Sequence, residues 1–255
     1  TQLLAQIEEH RARITALEAE RVNIEARREV LPLRRDRAAR RLNLADKQTA
    51  HWKAAVDAKR AAEGNAAAKQ ASERLVEITE SFPALAALAQ TNHELAAKRS
   101  GRDGLPARIA RAQDEVAETR ALLGEVERRF KAARRRVVAG GLTEGMGLIL
   151  RRDYEWLQQA VAPRSILIER EDRLSEAQLE SIAIDEARFT ASSISESLDA
   201  LIADLGLESP SEELVNAARD LLIAQRDLQD ALYEELSTLT SAYYDQRELA
   251  DNVEA

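Results

Sequence analysis

The fold class is decided by residues 106–141, PARIARAQDEVAETRALLGEVERRFKAARRRVVAGG. Apolar or small residues return every three or four positions, which is the spacing of one face of an α-helix. Pro106 suits the first turn of a helix, and Gly140-Gly141 suits its end. The face comprises Ile109, Ala112, Val116, Thr119, Leu123, Val126, Phe130, Ala133 and Val137. We therefore predict a long helix whose seam, including Phe130, is buried against an antiparallel neighbour of the same chain.

A second seam occupies the N-terminal part of the chain. Its positions alternate in steps of four and three: Leu3, Ile7, His10, Ile14, Leu17, Arg21, Ile24, Arg28 and Leu31. Such a stripe is typical of coiled coils, because it is too narrow to be buried except against another helix. Arg21 and Arg28 weaken the seam toward its end, although their aliphatic stems can still cover a partner. This seam is one candidate partner for the seam of residues 106–141.

The C-terminal part predicts two further long helices. The first opens at Pro163 and ends at Gly206. The second begins at a capping box in which Ser209 is the cap, Pro210 the first helical residue and Glu212 the third. Its acidic rod carries a leucine seam: Leu214, Ala218, Leu221, Gln225, Leu228, Leu232, Glu235, Leu239, Ala242, Gln246 and Leu249.

The pattern predicts an all-α fold of long antiparallel amphipathic helices with coiled-coil-like seams, arranged as an elongated bundle. We divide it into a coiled-coil-like region of long helices, 1–139, and a region with one shorter and two long helices, 140–255. Thr143 is the expected cap of the shorter helix. The predicted breaks lie near residues 32, 81–83, 100–106, 158–163 and 206–210.

Charge is distributed unevenly between the two parts of the chain. Residues 1–150 hold 28 basic and 21 acidic residues, whereas residues 151–255 hold 9 and 24. The balances of +7 and −15 allow attraction within one chain or between neighbouring copies. Two solvated helix surfaces that do not interact explain the same numbers.

The residues do not predict an enzyme, a bound metal or a cofactor. Cysteine is absent, which excludes disulfides and thiolate chemistry. His10, His51 and His93 have no ligand partners at metal spacing on a helix face. The glycines of 140–147 follow no strand and precede no Lys-Ser/Thr pair, so they do not form a phosphate-binding loop. No apolar run approaches the ~20 residues of a membrane helix.

Ten arginines form a candidate interaction surface: Arg34, Arg35, Arg37, Arg40, Arg41, Arg134, Arg135, Arg136, Arg151 and Arg152. Solvated faces, salt-bridge partners, lipid headgroups and nucleic acid are the alternatives. We expect no nucleic acid, because aromatic residues do not alternate with these arginines and the chain has a net charge of −8.

One segment resembles a known family. Residues 141–152, GLTEGMGLILRR, with Trp156-Leu157 after them, are similar to a segment in the extracytoplasmic helical "porin" domain of large mechanosensitive channels of the MscS superfamily, of the MscK/KefA type. Residues 31–52, 82–95 and 221–228 resemble other helices of that domain. The matching motif residues are Gly141, Leu142, Thr143, Glu144, Gly147, Arg151 and Arg152.

The resemblance implies a periplasmic scaffold or regulatory domain of an inner-membrane channel that responds to osmotic downshock. It implies that membrane helices follow residue 255, and that the full-length parent is a homo-oligomer, expected to be a heptamer. Because the chain starts at Thr1, we interpret it as a segment of that parent. The fragment alone is expected to be monomeric or weakly associated. The alternative is a free structural or adaptor coiled-coil protein that mediates protein–protein contacts.

Overall fold

A computed structural model describes residues 2–141, 143–160, 164–190, 193–206 and 209–254. Within these ranges the chain forms seven α-helices, one 3-10 helix at Pro83–Leu85 and no strand, which confirms the all-α prediction. The α-helices are α1 (Gln2–Ser81), α2 (Ala86–Ala97), α3 (Leu105–Gly140), α4 (Glu144–Ala160), α5 (Arg164–Thr190), α6 (Ile194–Asp204) and α7 (Glu212–Glu254).

The chain divides into two compact units, residues 1–56 and 57–255, and the division between them lies within α1. The first unit is the N-terminal part of α1. Every large apolar side chain described between residues 6 and 56 is exposed there. The core of the second unit forms around α7.

Helix α7 buries its seam along nearly its whole length. Of the eleven predicted seam positions, eight are buried and the other three are half-buried. Leu221 and Ala218 pack with Leu198 of α6 and with Ile78, at the end of α1. Further along α7, a larger cluster joins it to α3 and α5 through Leu105, Ile109, Ala112, Val116, Leu174, Ala177, Ile184, Leu232, Leu236 and Leu239. The predicted seam of α7 is confirmed.

The polar residues of this seam have partners on the neighbouring helices. Glu235 accepts hydrogen bonds from Nε and Nη2 of Arg99 at 3.0 and 2.7 Å. Gln246 donates to Oε2 of Glu115 at 2.6 Å, and the other oxygen of Glu115 accepts from Arg173 at 3.1 Å. Burial lowers the pKa of Arg173, but the hydrogen bond and charge of Glu115 outweigh it and raise that pKa overall. Glu115 therefore ties α3, α5 and α7 together.

The same contacts give the helix directions. Asn92, Arg99 and Glu115 meet α7 at successively later positions, so α2 and α3 run parallel to α7. Glu171 meets Arg247 and Arg188 meets Asp230, so α5 is antiparallel to α7. Helix α3 therefore packs mainly on α7, which runs parallel to it, so the prediction of an antiparallel partner is wrong. Helix α5 is antiparallel to α3 and meets it through ion pairs such as Arg108–Glu180. The loop between α2 and α3 changes the helix axis without reversing the chain.

The prediction that Phe130 is buried is wrong. Ile109, Ala112, Val116 and Thr119 are buried, but Phe130 is 67% exposed. Phe130 lies about four turns beyond Glu115 on α3, whereas α7 ends about two turns beyond Gln246. Periodicity identifies the apolar face of a helix but not how far its partner extends.

Three predicted boundaries also change. Helix α1 continues through Pro32, because losing one hydrogen bond does not end a helix that has intact turns on both sides. The helix predicted from 163 to 206 is two helices, since Ser193 caps α6 by accepting from the backbone N–H of Glu196 at 3.3 Å. Helix α7 is capped by Ser211, which accepts from Leu214 N–H, and not by Ser209.

Other predicted ends agree with the structure. Gly141 and Gly206 have positive φ angles of 68° and 64° directly after helices. Thr143 accepts a hydrogen bond from the backbone N–H of Met146 at 3.3 Å, as expected of the cap of α4. Pro106 lies in the first turn of α3. Residues 161–163, part of the predicted break at 158–163, lie outside the described residues.

We predict that Ile109→Ala destabilises the second unit by about 2–5 kcal/mol, because Ile109 is fully buried between α3, α5 and α7. Phe130→Ala is the control, and its exposed ring should contribute less than about 1 kcal/mol. Urea unfolding followed by circular dichroism measures both. Equal losses for the two variants would contradict the packing described here.

We also predict that Glu235→Ala costs about 3–5 kcal/mol, because it leaves the Arg99 guanidinium buried without a carboxylate. The side chains of Arg99 and Glu235 are only 11% and 7% exposed. The matched control is Glu234→Ala on the exposed face of α7, with an expected change within about 0.5 kcal/mol. If Glu235→Ala unfolds at the same urea concentration as the control, the ion pair is not a determinant of stability.

Candidate interaction surfaces

The N-terminal seam is an open apolar stripe in the first unit. The described large apolar positions of the seam, Ile7, Ile14, Leu17, Ile24 and Leu31, are all exposed. The buried part of the α3 seam is covered by α7 and α5, so a pairing with the N-terminal seam is not required to bury it. An exposed apolar stripe of this kind suits packing against a partner helix.

The first arginine group lies on α1 in the same unit. Arg34, Arg35, Arg37, Arg40 and Arg41 are all exposed. The only ion pair described for them joins Arg35 to Asp36 at 4.0 Å, and its side chains are 86% and 55% exposed. At such exposure an ion pair contributes little to stability.

The second and third arginine groups are brought together by the turn between α3 and α4. Helix α4 folds back along α3, where Arg129 meets Asp153 at 3.4 Å and lies 3.9 Å from the ring centroid of Trp156. Gly141 closes α3 with positive φ, and Thr143 opens α4. The family-like motif therefore forms this turn and the first half of α4, apart from Leu142, which lies outside the described residues.

We call the exposed end of this hairpin the tip surface. It consists of Arg134, Arg135, Arg136, Arg151, Arg152, Val138 and Leu148. Val138 is 81% and Leu148 68% exposed, and every one of the five arginines is exposed as well. The surface thus combines positive charge with aliphatic side chains that no described residue covers.

Few acidic groups neutralise the tip surface. Arg151 pairs with Glu155 at 3.4 Å, and Nε of Arg135 donates to the carbonyl of Lys131. Within the described ranges, Arg134, Arg136 and Arg152 have no ion pair. Nearby, Lys131 lowers the pKa of Glu127 by a hydrogen bond and by its charge, so this pair is already satisfied.

Sequence analysis identified each arginine of the tip surface as a candidate interaction residue, but it did not predict that the two groups lie at the same end of a hairpin. The signal was present, because Arg134–Arg136 precede the helix-ending Gly140-Gly141 and Arg151–Arg152 follow it. A hairpin at these glycines brings both groups to the same end of the molecule's second unit.

A cleft of about 250 Å³ lies between α1, α2 and α7 within the second unit. Alanines and leucines form much of its wall, together with Arg74, Asn92 and Asp227. The buried amide of Asn92 donates to the carbonyl of Leu221 at 2.8 Å, while its Oδ1 has no partner among the described residues. This oxygen can accept one hydrogen bond.

The histidines lie apart from acidic ligand sets. His10 and His51 are exposed on α1, and His93 is half-buried on α2. In the portion of the chain that is described, no three His, Asp or Glu residues are placed to hold a metal ion. None of the described helices is both long and apolar enough to cross a membrane.

Comparisons with known proteins did not assign the chain to a family. Searches of protein-family models, of curated proteins and of solved structures found no match to it.

Proposed function

We propose that this chain is a non-catalytic scaffold or regulatory domain of a mechanosensitive channel of the MscS superfamily, located in the periplasm and acting during osmotic downshock. The support for the family is the resemblance of residues 141–152. The observation that supports a scaffold is the arrangement of surfaces: a bundle buried around α7 leaves a coiled-coil seam on α1 and a charged hairpin tip exposed.

Long helices suit such a role mechanically. Helix α7 spans Glu212–Glu254 and is held by α1, α2 and α6 toward one end and by α3 and α5 toward the other. A displacement at one end of a well-packed rod is transmitted to the other as a rigid-body movement. A coupling of ~1–3 kcal/mol between such a movement and the channel's open state is ordinary for allostery.

The second candidate is a free structural or adaptor coiled-coil protein. The exposed seam of Ile7 to Leu31 favours it, because that seam needs only a partner helix and no channel. The two candidates differ in what the parent gene produces. Patches from cells that express the parent gene, in a host without its own mechanosensitive channels, carry tension-activated current only if the channel proposal is correct.

We predict that the domain modulates gating without forming the pore. Removing residues 1–255 from the parent gene should leave the unitary conductance unchanged and shift the tension threshold or the inactivation. Patch recording under graded suction measures all three. A changed unitary conductance, or no conductance in a channel that still assembles in the membrane, would place this segment in the permeation path.

We further predict that neighbouring copies associate head to tail, as ring symmetry requires two different surfaces to meet. The part of the chain with a balance of +7 would face the part with a balance of −15 in the next copy. Exposed arginines such as Arg21 and Arg28 would then meet exposed carboxylates such as Asp220, Glu234 and Asp245. Because such pairs contribute only ~0–1 kcal/mol each, the fragment alone should associate weakly.

Analytical ultracentrifugation tests this association at two salt concentrations. Self-association should weaken between about 0.1 M and 1 M salt, since the Debye length falls from ~10 Å to ~3 Å. The variant Arg21→Glu/Arg28→Glu should be monomeric even at the lower salt concentration. A tight oligomer whose association is unchanged at the higher salt concentration would indicate a hydrophobic interface along the seam.

A further inference from the structure

We propose that the tip surface of the α3–α4 hairpin binds membranes that contain anionic lipid, with its arginines at the phosphates and its aliphatic side chains below them. This inference does not depend on the channel assignment, because it holds equally for a free adaptor protein.

The local charge favours an anionic partner. Residues 131–152 contain six basic residues and a single acidic one, Glu144, in a chain whose net charge is −8. Arg134, Arg136 and Arg152 are exposed and have no ion pair within the described residues. Guanidinium groups bind phosphate oxygens through two parallel hydrogen bonds, so unpaired arginines suit lipid phosphates.

The apolar side chains at the same end favour lipid over nucleic acid. Val138 and Leu148 are exposed on opposite sides of the turn, next to the arginines in sequence and in the hairpin. A nucleic-acid backbone offers aliphatic groups nothing to be buried against. A bilayer does, because its hydrocarbon lies directly beneath the phosphates, as for interfacial amphipathic helices with basic polar faces.

Aromatic residues further along the hairpin fit the same geometry. Tyr154 and Phe130 are exposed, and the half-buried Trp156 stacks under Arg129. Aromatic rings with a polar atom are preferred at the level of lipid headgroups, since one end is apolar and the other hydrogen-bonds. They lie behind the tip surface along α3 and α4, so a docked hairpin would place them at the outer, water-facing side of the headgroups.

Co-sedimentation of the full chain with vesicles tests the proposal. We compare vesicles of phosphatidylcholine alone with vesicles that contain equal parts of phosphatidylcholine and phosphatidylglycerol. Binding to the mixed vesicles should be at least about tenfold stronger, because each arginine near an anionic surface contributes separately. Equal binding to both kinds of vesicle, or no binding to either kind, would overturn the proposal.

A pair of matched variants locates the site. Arg134→Gln/Arg136→Gln/Arg152→Gln should weaken binding to the mixed vesicles by about tenfold or more. Arg34→Gln/Arg35→Gln/Arg37→Gln removes the same charge from the exposed group on α1 and should leave binding within about twofold. These substitutions are at exposed positions, and circular dichroism checks that both variants stay folded. Equal losses in the two variants would mean that net charge, and not the tip surface, determines binding.

Tryptophan fluorescence separates insertion from purely ionic contact. The variant Trp52→Phe/Trp156→Phe/Leu148→Trp has its single tryptophan in the tip surface. Mixed vesicles with brominated acyl chains should quench the emission of this tryptophan, and adding Arg134→Gln/Arg136→Gln/Arg152→Gln should reduce the quenching. Binding without quenching would contradict the insertion of aliphatic side chains into the bilayer. In a separate competition, displacement of the chain from the vesicles by a short duplex DNA at equal phosphate concentration would favour nucleic acid as the partner.

Discussion

The second unit depends on the burial of the α7 seam. Leucines such as Leu221, Leu232 and Leu239 supply the apolar contacts. Leu221 is buried against α1, α2 and α6, whereas Leu232 and Leu239 are buried against α3 and α5. Removing such side chains from water is the main favourable term in folding. Helix α7 comes last in the described chain, so α2, α3, α5 and α6 cannot complete their cores before it is present.

Polar residues within the seam make this packing specific. A uniform leucine seam would allow neighbouring helices to slide by one turn with little cost. Glu235 and Gln246 prevent this, because a shift would leave the buried side chains of Arg99 and Gln246 without their partners. The buried pair therefore fixes the register of α2–α3 along α7. We interpret the parallel direction of these helices, joined by a loop that does not reverse the chain, as a result of the same constraint.

Sequence reasoning predicted most of the helices and the buried faces of α7 and of the first half of α3, since both follow from spacing along a single helix. It identified Glu235 and Gln246 as seam positions but could not name their partners, because hydrogen bonds between distant segments leave no periodic signal. It placed Phe130 in the core although α7 does not extend that far. It also missed the cap at Ser193, although Ser193 and Glu196 have the spacing of a capping box. For the surfaces, the arginines were evident, but their meeting at the hairpin tip required the fold.

A bundle held by α7 carries surfaces that are left open for other molecules. Hydrogen–deuterium exchange on the isolated chain tests this arrangement most directly, because amide protection reports local stability along each helix. We predict the strongest protection in α7 between Leu221 and Ala242 and in α3 between Ile109 and Thr119. Residues 6–56 and the hairpin end near Val138 should exchange much faster. Protection of residues 6–56 equal to that of α7, in a chain confirmed to be monomeric, would contradict it.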